Sequence, residues 1–308
     1  MTPTTFIKKV ILRLHLFGWF KFLPDALDIK LLYLVHIGKI PNLKAPETFN
    51  EKLNWLKLHH RKPIYTTLVD KYALKEWVSN KVGKQYVIPT LGVWNKFEEI
   101  DFDKLPNQFV LKCTHDSAGL VICKDKSKLD IKQIQKKINN CLKRNFFYIA
   151  REWPYKNVKP RIIAEKYMED SGPEENSSST SEQITDLTLT DYKFFCFNGK
   201  PRVMYISKDH ANEPFTDYFD MDFNHLNIQT KDPNAKIPPK CPSKFKDMMN
   251  LATTLSENIP FVRVDFYCIK GKIYIGEMTF YPNGGFCQAK PIEWESKMGK
   301  WIKLPFEK

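Results

Sequence analysis

The residues best suited to chemistry lie in a predicted C-terminal β-hairpin whose first strand begins at Phe261. Apolar side chains alternate along this strand, so that Arg263 and Asp265 share the opposite face. Glu277 and Thr279 end the partner strand, close enough for the carboxylates of Glu277 and Asp265 to meet. Two adjacent carboxylates repel unless a cation neutralises them, and Mg²⁺ binds through one or two carboxylates together with substrate phosphates. The pattern indicates either a magnesium site or an ion-paired surface hairpin.

A second reactive group is Lys112, which lies inside the predicted apolar strand 108–113. Burying an unpaired ammonium group costs several kcal/mol on an order-of-magnitude view, so Lys112 needs an anionic partner. The polar loop 114–119 follows directly and offers hydroxyl groups and backbone N–H groups, which can accept phosphate oxygens. A phosphate-binding loop and an ordinary exposed hairpin both remain compatible with this segment.

The elements that position these groups change type along the chain. Residues 1–80 have helical patterns, including a capping box from Thr48 to Glu51. Short β-like runs separated by turn signals follow, interrupted by a basic amphipathic helix at 130–144 and a second helix at 243–257. We therefore expect an α+β protein with antiparallel sheets.

The order of these motifs resembles that of the ATP-grasp ligases. The matching segments, in chain order, are Asp70-Lys71-Tyr72, Lys112 with the loop 114–119, Ile162-Ile-Ala-Glu165-Lys-Tyr-Met168, Asp191-Tyr-Lys193, Arg263-Val-Asp265 and Glu277-Met-Thr279. The resemblance implies antiparallel sheets with flanking helices that enclose an ATP cleft, preceded by a helical N-terminal region. It divides the chain into a basic helical region (1–80), a small subdomain with the phosphate loop and adenine hinge (81–168), and a C-terminal subdomain with the metal site (169–308). Residues 170–190 contain five acidic residues, no basic ones and a Ser/Thr cluster, so their composition predicts a flexible insertion in the C-terminal subdomain.

More narrowly, the chain resembles the TupA-like ATP-grasp family of teichuronopeptide and surface-polysaccharide biosynthesis. This resemblance is carried by Thr48-Phe-Asn-Glu-Lys-Leu53, Asp70-Lys-Tyr72, Leu111-Lys-Cys-Thr-His115, Arg151-Glu-Trp153, Asp191-Tyr-Lys-Phe-Phe-Cys-Phe-Asn-Gly199, Glu277-Met-Thr-Phe-Tyr-Pro282 and Trp301-Ile-Lys-Leu-Pro305. It implies a Mg²⁺- and ATP-dependent carboxylate–amine ligase that works through an acyl phosphate. The implied substrates are a uronate or peptide-like carboxylate, free or glycan-linked, and an amine or amino acid.

The resemblance also assigns site residues. Those implied for ATP binding are Lys71, Lys112, Thr114, Ser117, Gly119, Glu165, Lys166, Tyr167, Met168, Asp191 and Lys193; the metal ligands are Asp265, Glu277 and Thr279; the catalytic residues are Arg263 and Lys112. Arg263 would stabilise the acyl-phosphate oxyanion, or else pair structurally with Asp265. Thr279 replaces the asparagine usual in the family, and Ala118 replaces a common glycine of the loop.

The charge is concentrated at the N-terminus. The chain has 48 Lys and Arg against 35 Asp and Glu, and residues 1–64 contain eleven of the basic residues but four of the acidic ones. The run 6–23 mixes cations with aromatic residues and is too short in apolar sequence to span a membrane. It is compatible with an interfacial helix on anionic lipid and with a basic helix packed on the protein. No RNA-recognition or helix-turn-helix signature is evident, so nucleic acid is not an expected partner.

The cysteines indicate the compartment. The chain contains seven cysteines, an odd number, and lacks a C-x-x-C pair, which favours a reducing environment over a disulfide framework or a zinc site. We therefore expect a cytoplasmic protein, with the inner face of the membrane as the alternative position.

A glycosyltransferase that uses a nucleotide sugar is the alternative enzyme class, because metal–carboxylate chemistry also serves that reaction.

Overall fold

A computed structural model describes residues 3–169, 189–208 and 214–305. Within these ranges the chain forms two antiparallel sheets with helices packed around them, which confirms the α+β class. The insertion expected at 170–190 lies, except for its last two residues, outside the described residues. The subdomain boundaries expected at residues 80 and 168 stay predictions.

Helices dominate the first part of the chain. They are α1 (Pro3–Leu16), α2 (Asp25–Ile37), α3 (Phe49–His59), α4 (Ile64–Val69) and α5 (Ala73–Lys81). The capping box is present at the start of α3, where the Glu51 carboxylate accepts hydrogen bonds from the backbone N–H (3.2 Å) and hydroxyl (2.9 Å) of Thr48. This arrangement satisfies donors that the first turn of a helix leaves unpaired.

The smaller sheet has the strand order β1-β4-β2-β3. Its strands are β1 (Thr90–Trp94), β2 (Phe109–Cys113), β3 (Leu120–Cys123) and β4 (Ile162–Lys166), and two helices, α6 (Ile131–Leu142) and α7 (Phe147–Ala150), lie between β3 and β4 in the chain. Ile134 and Ile138 of α6 join a core that includes Phe109, Leu111 and Ala164. Because side chains alternate along a strand, Lys112 and Glu165 point to the other face, away from this core.

The larger sheet has the strand order β10-β9-β5-β6-β7-β8. Its strands are β5 (Asp191–Phe197), β6 (Lys200–Lys208), β7 (Phe215–Phe219), β8 (His225–Leu226), β9 (Phe261–Ile269) and β10 (Lys272–Thr279), and α8 (Phe245–Leu255) and α9 (Glu293–Trp301) complete the fold. The hairpin expected around Asn198-Gly199 and the hairpin expected around Lys270-Gly271 are both confirmed.

Helices cover the two faces of the larger sheet unequally. On one face Phe245 of α8 packs on Phe194, which also contacts Phe266. On the other face Phe49 of α3 packs edge-on against Phe261, with ring centroids 5.0 Å apart. Arg263 and Asp265 lie on this second face, beyond the part of it that Phe49 covers, so polar side chains line that part of the sheet.

Helix α1 is packed on the protein at its C-terminal end. Its His15 is buried, and Nε2 lies 3.0 Å from a carboxylate oxygen of Asp28 in α2. Arg151 donates to the same carboxylate and to the carbonyl oxygen of Phe20, at 2.8 Å. No helix in the described part of the chain is long and apolar enough to cross a membrane.

The close contact between α9 and the start of α3 depends on Gly299. A Cβ at this position would overlap the carbonyl oxygen of Glu47 and lie 3.0 Å from the backbone nitrogen of Phe49, and backbone atoms cannot move aside locally. We expect Gly299→Ala to lower the free energy of unfolding by about 1–3 kcal/mol, although alanine favours a helix. Chemical denaturation measures the change. Ser296→Ala, an exposed substitution on the same helix, is the control, and equal stability of the two variants would contradict the prediction.

Candidate active site

The larger sheet places four polar side chains in one row across adjacent strands. Glu277 is the cross-strand partner of Asp265, Asp265 that of Lys193, and Lys193 that of Tyr205. A β-bulge at Gly276 shifts the register of β10, so that Glu277 falls directly opposite Asp265. The two carboxylates of the predicted metal site therefore meet, as the sequence indicated.

Arg263 binds both of these carboxylates. Its Nε and Nη2 donate to the two oxygens of Asp265, each at 2.6 Å, and Nη2 also reaches Glu277 at 2.9 Å. The hydroxyl of Thr279 lies 3.0 Å from Nη2 and donates to Glu277 at 3.1 Å. Tyr205 faces the remaining terminal nitrogen at 3.3 Å. The ion pair considered as the structural role of Arg263 is thus present in the protein.

The charges around this row alter the acidity of its members. Burial raises the pKa of Asp265, whereas Lys71, Arg263 and Lys193 hold the pKa of Glu277 at about 2 despite its own burial cost. Burial likewise raises the pKa of Asp191 to about 6, with Lys193 opposing the rise. Lys193 lies 3.4 Å from Asp265 and 3.5 Å from Asp191. One cation therefore serves two carboxylates that the protein keeps close together.

Glu165 organises the facing surface of the smaller sheet. Its two carboxylate oxygens bind Lys75 and Lys112, each at 2.6 Å. Burial opposes ionisation of this carboxyl group, but Lys112 and Lys75 outweigh it, so the pKa of Glu165 lies below its usual value. Glu165 is therefore a buried carboxylate shared by two cations.

The loop 114–119 lies beside these lysines. Lys71 donates through Nζ to the carbonyl oxygen of Asp116, at 2.9 Å. The carboxylate of Asp116 accepts from the backbone N–H of Ala118 at 2.7 Å and from Arg144 at 2.9 Å, which ties the loop to the end of α6. A Cβ at Gly119 would lie 2.7 Å from Cβ of Cys113, so only glycine fits this close approach.

A cavity of about 310 Å³ separates the two sheets. It is lined by Lys71, Lys112, Asp116, Ser117, Gly119, Leu120, Asp191, Lys193, Asp265, Tyr267, Gly276 and Glu277. Most of the residues expected to bind ATP phosphates, ribose and metal therefore line one cleft.

Other predicted site residues lie away from this cavity wall. Thr114 is fully buried, and its hydroxyl donates to the carbonyl oxygen of Lys159 at 3.4 Å. Lys166 and Tyr167 line a separate surface cavity next to Leu91. Met168 is half-buried beyond the end of β4. The roles assigned to these residues in ATP binding stay predictions.

Sequence reasoning missed Lys75, Tyr205 and Tyr267. Lys75 follows Lys71 by four residues, a spacing that can put two side chains on one face of a helical turn, and this signal was available in the sequence. The two tyrosines carried no such signal, because an aromatic residue in a strand is most often part of the core.

The donors present fit a magnesium ion bound together with phosphates. Within the described ranges, no group of three or more His, Cys, Asp or Glu side chains could hold a metal by itself. Asp265 and Glu277 supply two hard carboxylates at a wall of the cavity that Lys71, Lys112 and Lys193 also line. Mg²⁺ is commonly held by one or two carboxylates and completed by substrate phosphates, which this set allows.

A second cavity, of about 470 Å³, adjoins the first. Both cavities are lined by Asp191 and Lys193, and Arg263 lines the second. The wall of the second cavity combines aromatic rings, including Tyr205 and Phe215, with hydroxyl groups and charged side chains. The site therefore has room for two ligands that meet at the row of charges.

Comparison with solved structures gives matches that include three ligases. The chain is 14% identical to the D-alanine–D-alanine ligase from Bacillus anthracis complexed with ATP, covering 70% of this chain and 54% of that one, with a TM-score of 0.39. It is 12% identical to the D-alanine–D-alanine ligase from Helicobacter pylori, covering 82% of this chain and 69% of that one, with a TM-score of 0.45. It is 9% identical to the ATP-grasp ligase PsnB complexed with minimal precursor, Mg and ADP, covering 75% of this chain and 57% of that one, with a TM-score of 0.37. The chain thus spans little more than half of the Bacillus anthracis enzyme. No curated protein sequence matches the chain.

Comparison with protein-family models identifies the family of this chain. The sequence model described as TupA-like ATPgrasp matches residues 51–303, which include both sheets and every residue that lines the 310 Å³ cavity. The chain belongs to the TupA-like ATP-grasp family.

Proposed function

We propose that this protein is a Mg²⁺- and ATP-dependent ligase that joins a carboxylate to an amine through an acyl-phosphate intermediate. The observation that carries the proposal is the cleft, which Lys71, Lys112 and Lys193 line together with Asp265 and Glu277. Three cations suit a triphosphate, and two carboxylates suit the metal ion that accompanies it. Membership of the ATP-grasp family supports the same assignment.

The first step transfers the γ-phosphoryl group of ATP to a carboxylate oxygen. That oxygen forms a bond to phosphorus, the bond between phosphorus and the bridging oxygen breaks, and ADP leaves. Lys71, Lys112 and Lys193 would offset the charge on the phosphate oxygens and hold the triphosphate in line for attack by the carboxylate. Asp265 and Glu277 would hold Mg²⁺, which neutralises charge on the β- and γ-phosphates when bound.

The second step replaces phosphate by the amine. The amine nitrogen bonds to the acyl carbon, loses a proton, and inorganic phosphate departs. Arg263 would stabilise the oxyanion that forms at this carbon, because its guanidinium stays charged at any relevant pH. Its position at the wall of the 470 Å³ cavity supports this role, and we assign that cavity to the carboxylate and amine substrates.

The acceptor is the finer part of the proposal. We assign a uronate or peptide-like carboxylate of a surface-polysaccharide precursor, free or glycan-linked, and an amino compound as its partner. The mixture of aromatic rings, hydroxyl groups and Lys231 in the larger cavity is compatible with a hydroxyl-rich anion. We place the enzyme in the cytoplasm, where its seven free thiols would stay reduced, and at the inner face of the membrane through the surface described below.

Nucleotide binding is tested by melting. Mg·ATP should raise the melting temperature, because a ligand that binds only the folded state stabilises it by about 2.7 kcal/mol at a hundredfold excess over Kd. UDP-sugars should have a much smaller effect, and the reverse ranking would support the glycosyltransferase.

Uronates and amino acids are then screened with Mg·ATP for ADP, phosphate and a product lighter than the summed substrates by one water. Hydroxylamine should trap the acyl phosphate.

Neutralising either carboxylate of the metal pair should cost both activity and stability. Glu277→Gln removes a charge that Lys71, Arg263 and Lys193 stabilise, so we expect ADP formation to fall at least about a hundredfold and the melting temperature to fall as well. Asp265→Asn should lose as much activity and also unfold at lower temperature, because it removes the bidentate charged partner of a buried arginine. Glu257→Gln, at an exposed surface ion pair, is the control. Normal turnover of Glu277→Gln would remove that residue from the metal site.

Lys75 should matter for ATP affinity although it does not line the cavity. It shares Glu165 with Lys112, and without it Lys112 would be the only cation left on a buried carboxylate. Lys75→Met should therefore hold Lys112 away from phosphate and raise KM for ATP about tenfold or more, with a smaller change in kcat. Lys81→Met, on the exposed face of the same helix, is the matched control. Equal KM values for the two variants would show that Lys75 has only a structural role.

A further inference from the structure

The turn between α1 and α2 exposes an unusual amount of aromatic surface. In residues 17–22, here called the aromatic turn, the exposed fractions are 70% for Phe17, 66% for Trp19 and 80% for Phe22. Leu27, at the start of α2, is 54% exposed. Seven of the fifteen large hydrophobic residues that are exposed in the described part of the chain lie between residues 10 and 40. Exposed apolar surface of this density usually marks an interaction site.

The aromatic turn is held in place by buried charges. Arg151 is almost fully buried and donates to the carbonyl oxygen of Phe20 at 2.8 Å, while its other nitrogens bind Asp25 and Asp28. His15, one residue before the end of α1, contacts the same oxygen of Asp28, with Nε2 at 3.0 Å from Oδ2. The backbone of the turn therefore has defined partners. Its aromatic side chains are presented to solvent from a fixed support rather than from a frayed helix end.

The charge around the turn has one sign. Between residues 8 and 40 the cations are Lys8, Lys9, Arg13, Lys21, Lys30 and Lys39. The two acidic residues of this stretch are already engaged, Asp25 by Arg61 and Arg151 and Asp28 by Arg151 and His15. A second copy of the chain would bring like charges together at this surface, which disfavours self-association.

We propose that the aromatic turn and the cations around it form a docking surface for an anionic lipid bilayer. Tryptophan and phenylalanine insert at the boundary between head groups and acyl chains, and neighbouring lysine and arginine side chains bind the anionic head groups. The surface combines both features and lies outside the ATP cleft. The proposal therefore stands whether or not the ligase assignment is correct.

Vesicle flotation of the full-length protein tests the proposal. The protein should bind vesicles that contain phosphatidylglycerol, bind pure phosphatidylcholine vesicles much less, and detach as salt rises. Trp19→Ser combined with Phe22→Ser should reduce partitioning at least about tenfold, and Lys21→Gln about fivefold. Ile237→Ser, at a residue that is 84% exposed elsewhere, is the matched control and should bind normally.

A melting temperature equal to that of the unmodified protein verifies that each variant is folded. If the double variant is unfolded, Lys21→Gln, an exposed polar change, still tests the proposal. Failure of the unmodified protein to bind anionic vesicles would overturn the proposal, as would normal binding by the folded variants. If the unmodified protein is a dimer and the double variant is a monomer, the surface would be assigned to a second copy instead. Tighter binding to DNA or RNA than to vesicles would assign it to nucleic acid.

Discussion

Repulsion between two carboxylates is the constraint around which the cleft is arranged. Asp265 and Glu277 face each other across a strand pair, and Arg263 reaches both of them at once. Placing like charges side by side in a poorly solvated position is unfavourable unless cations offset it. The bulge at Gly276 and the register of β9 with β5 supply that geometry, since they align Glu277, Asp265 and Lys193. The sheet thus holds an arrangement that its charges alone would oppose.

The smaller sheet faces this row with the opposite arrangement. There one buried carboxylate, Glu165, is shared by two ammonium groups, so the cations are in excess. A polyanion that enters between the sheets would meet Lys112, already paired with Glu165, on one side and the carboxylates of Asp265 and Glu277 on the other. Such preorganised charges need little rearrangement when substrate arrives, which is the usual source of electrostatic catalysis.

Local sequence predicted the strands and their faces well, because alternation along β9 directly reports which side chains share a side. Local sequence was less informative where the position of a side chain depends on contacts with residues distant in the chain. Thr114 follows β2 in the expected loop, yet its hydroxyl turns to Lys159, a neighbour that only the folded chain supplies. Lys166 ends β4 and Tyr167 follows it, but spacing alone does not determine which cavity their side chains line. The pairing of Lys75 with Glu165 joins residues 90 positions apart, which no local pattern reports.

Arg151 has a consequence for where this fold begins. The family match starts at residue 51, but α2 and the turn before it supply Phe20, Asp25 and Asp28 to this arginine. Ile29, Leu32 and Tyr33 of α2 also form a small core with Ala150 and Phe286. A recombinant fragment cut at the family boundary would lose the counter-charges and uncover that apolar surface together. The segment that matches the family model and the segment joined by these buried contacts are therefore different lengths of the same chain.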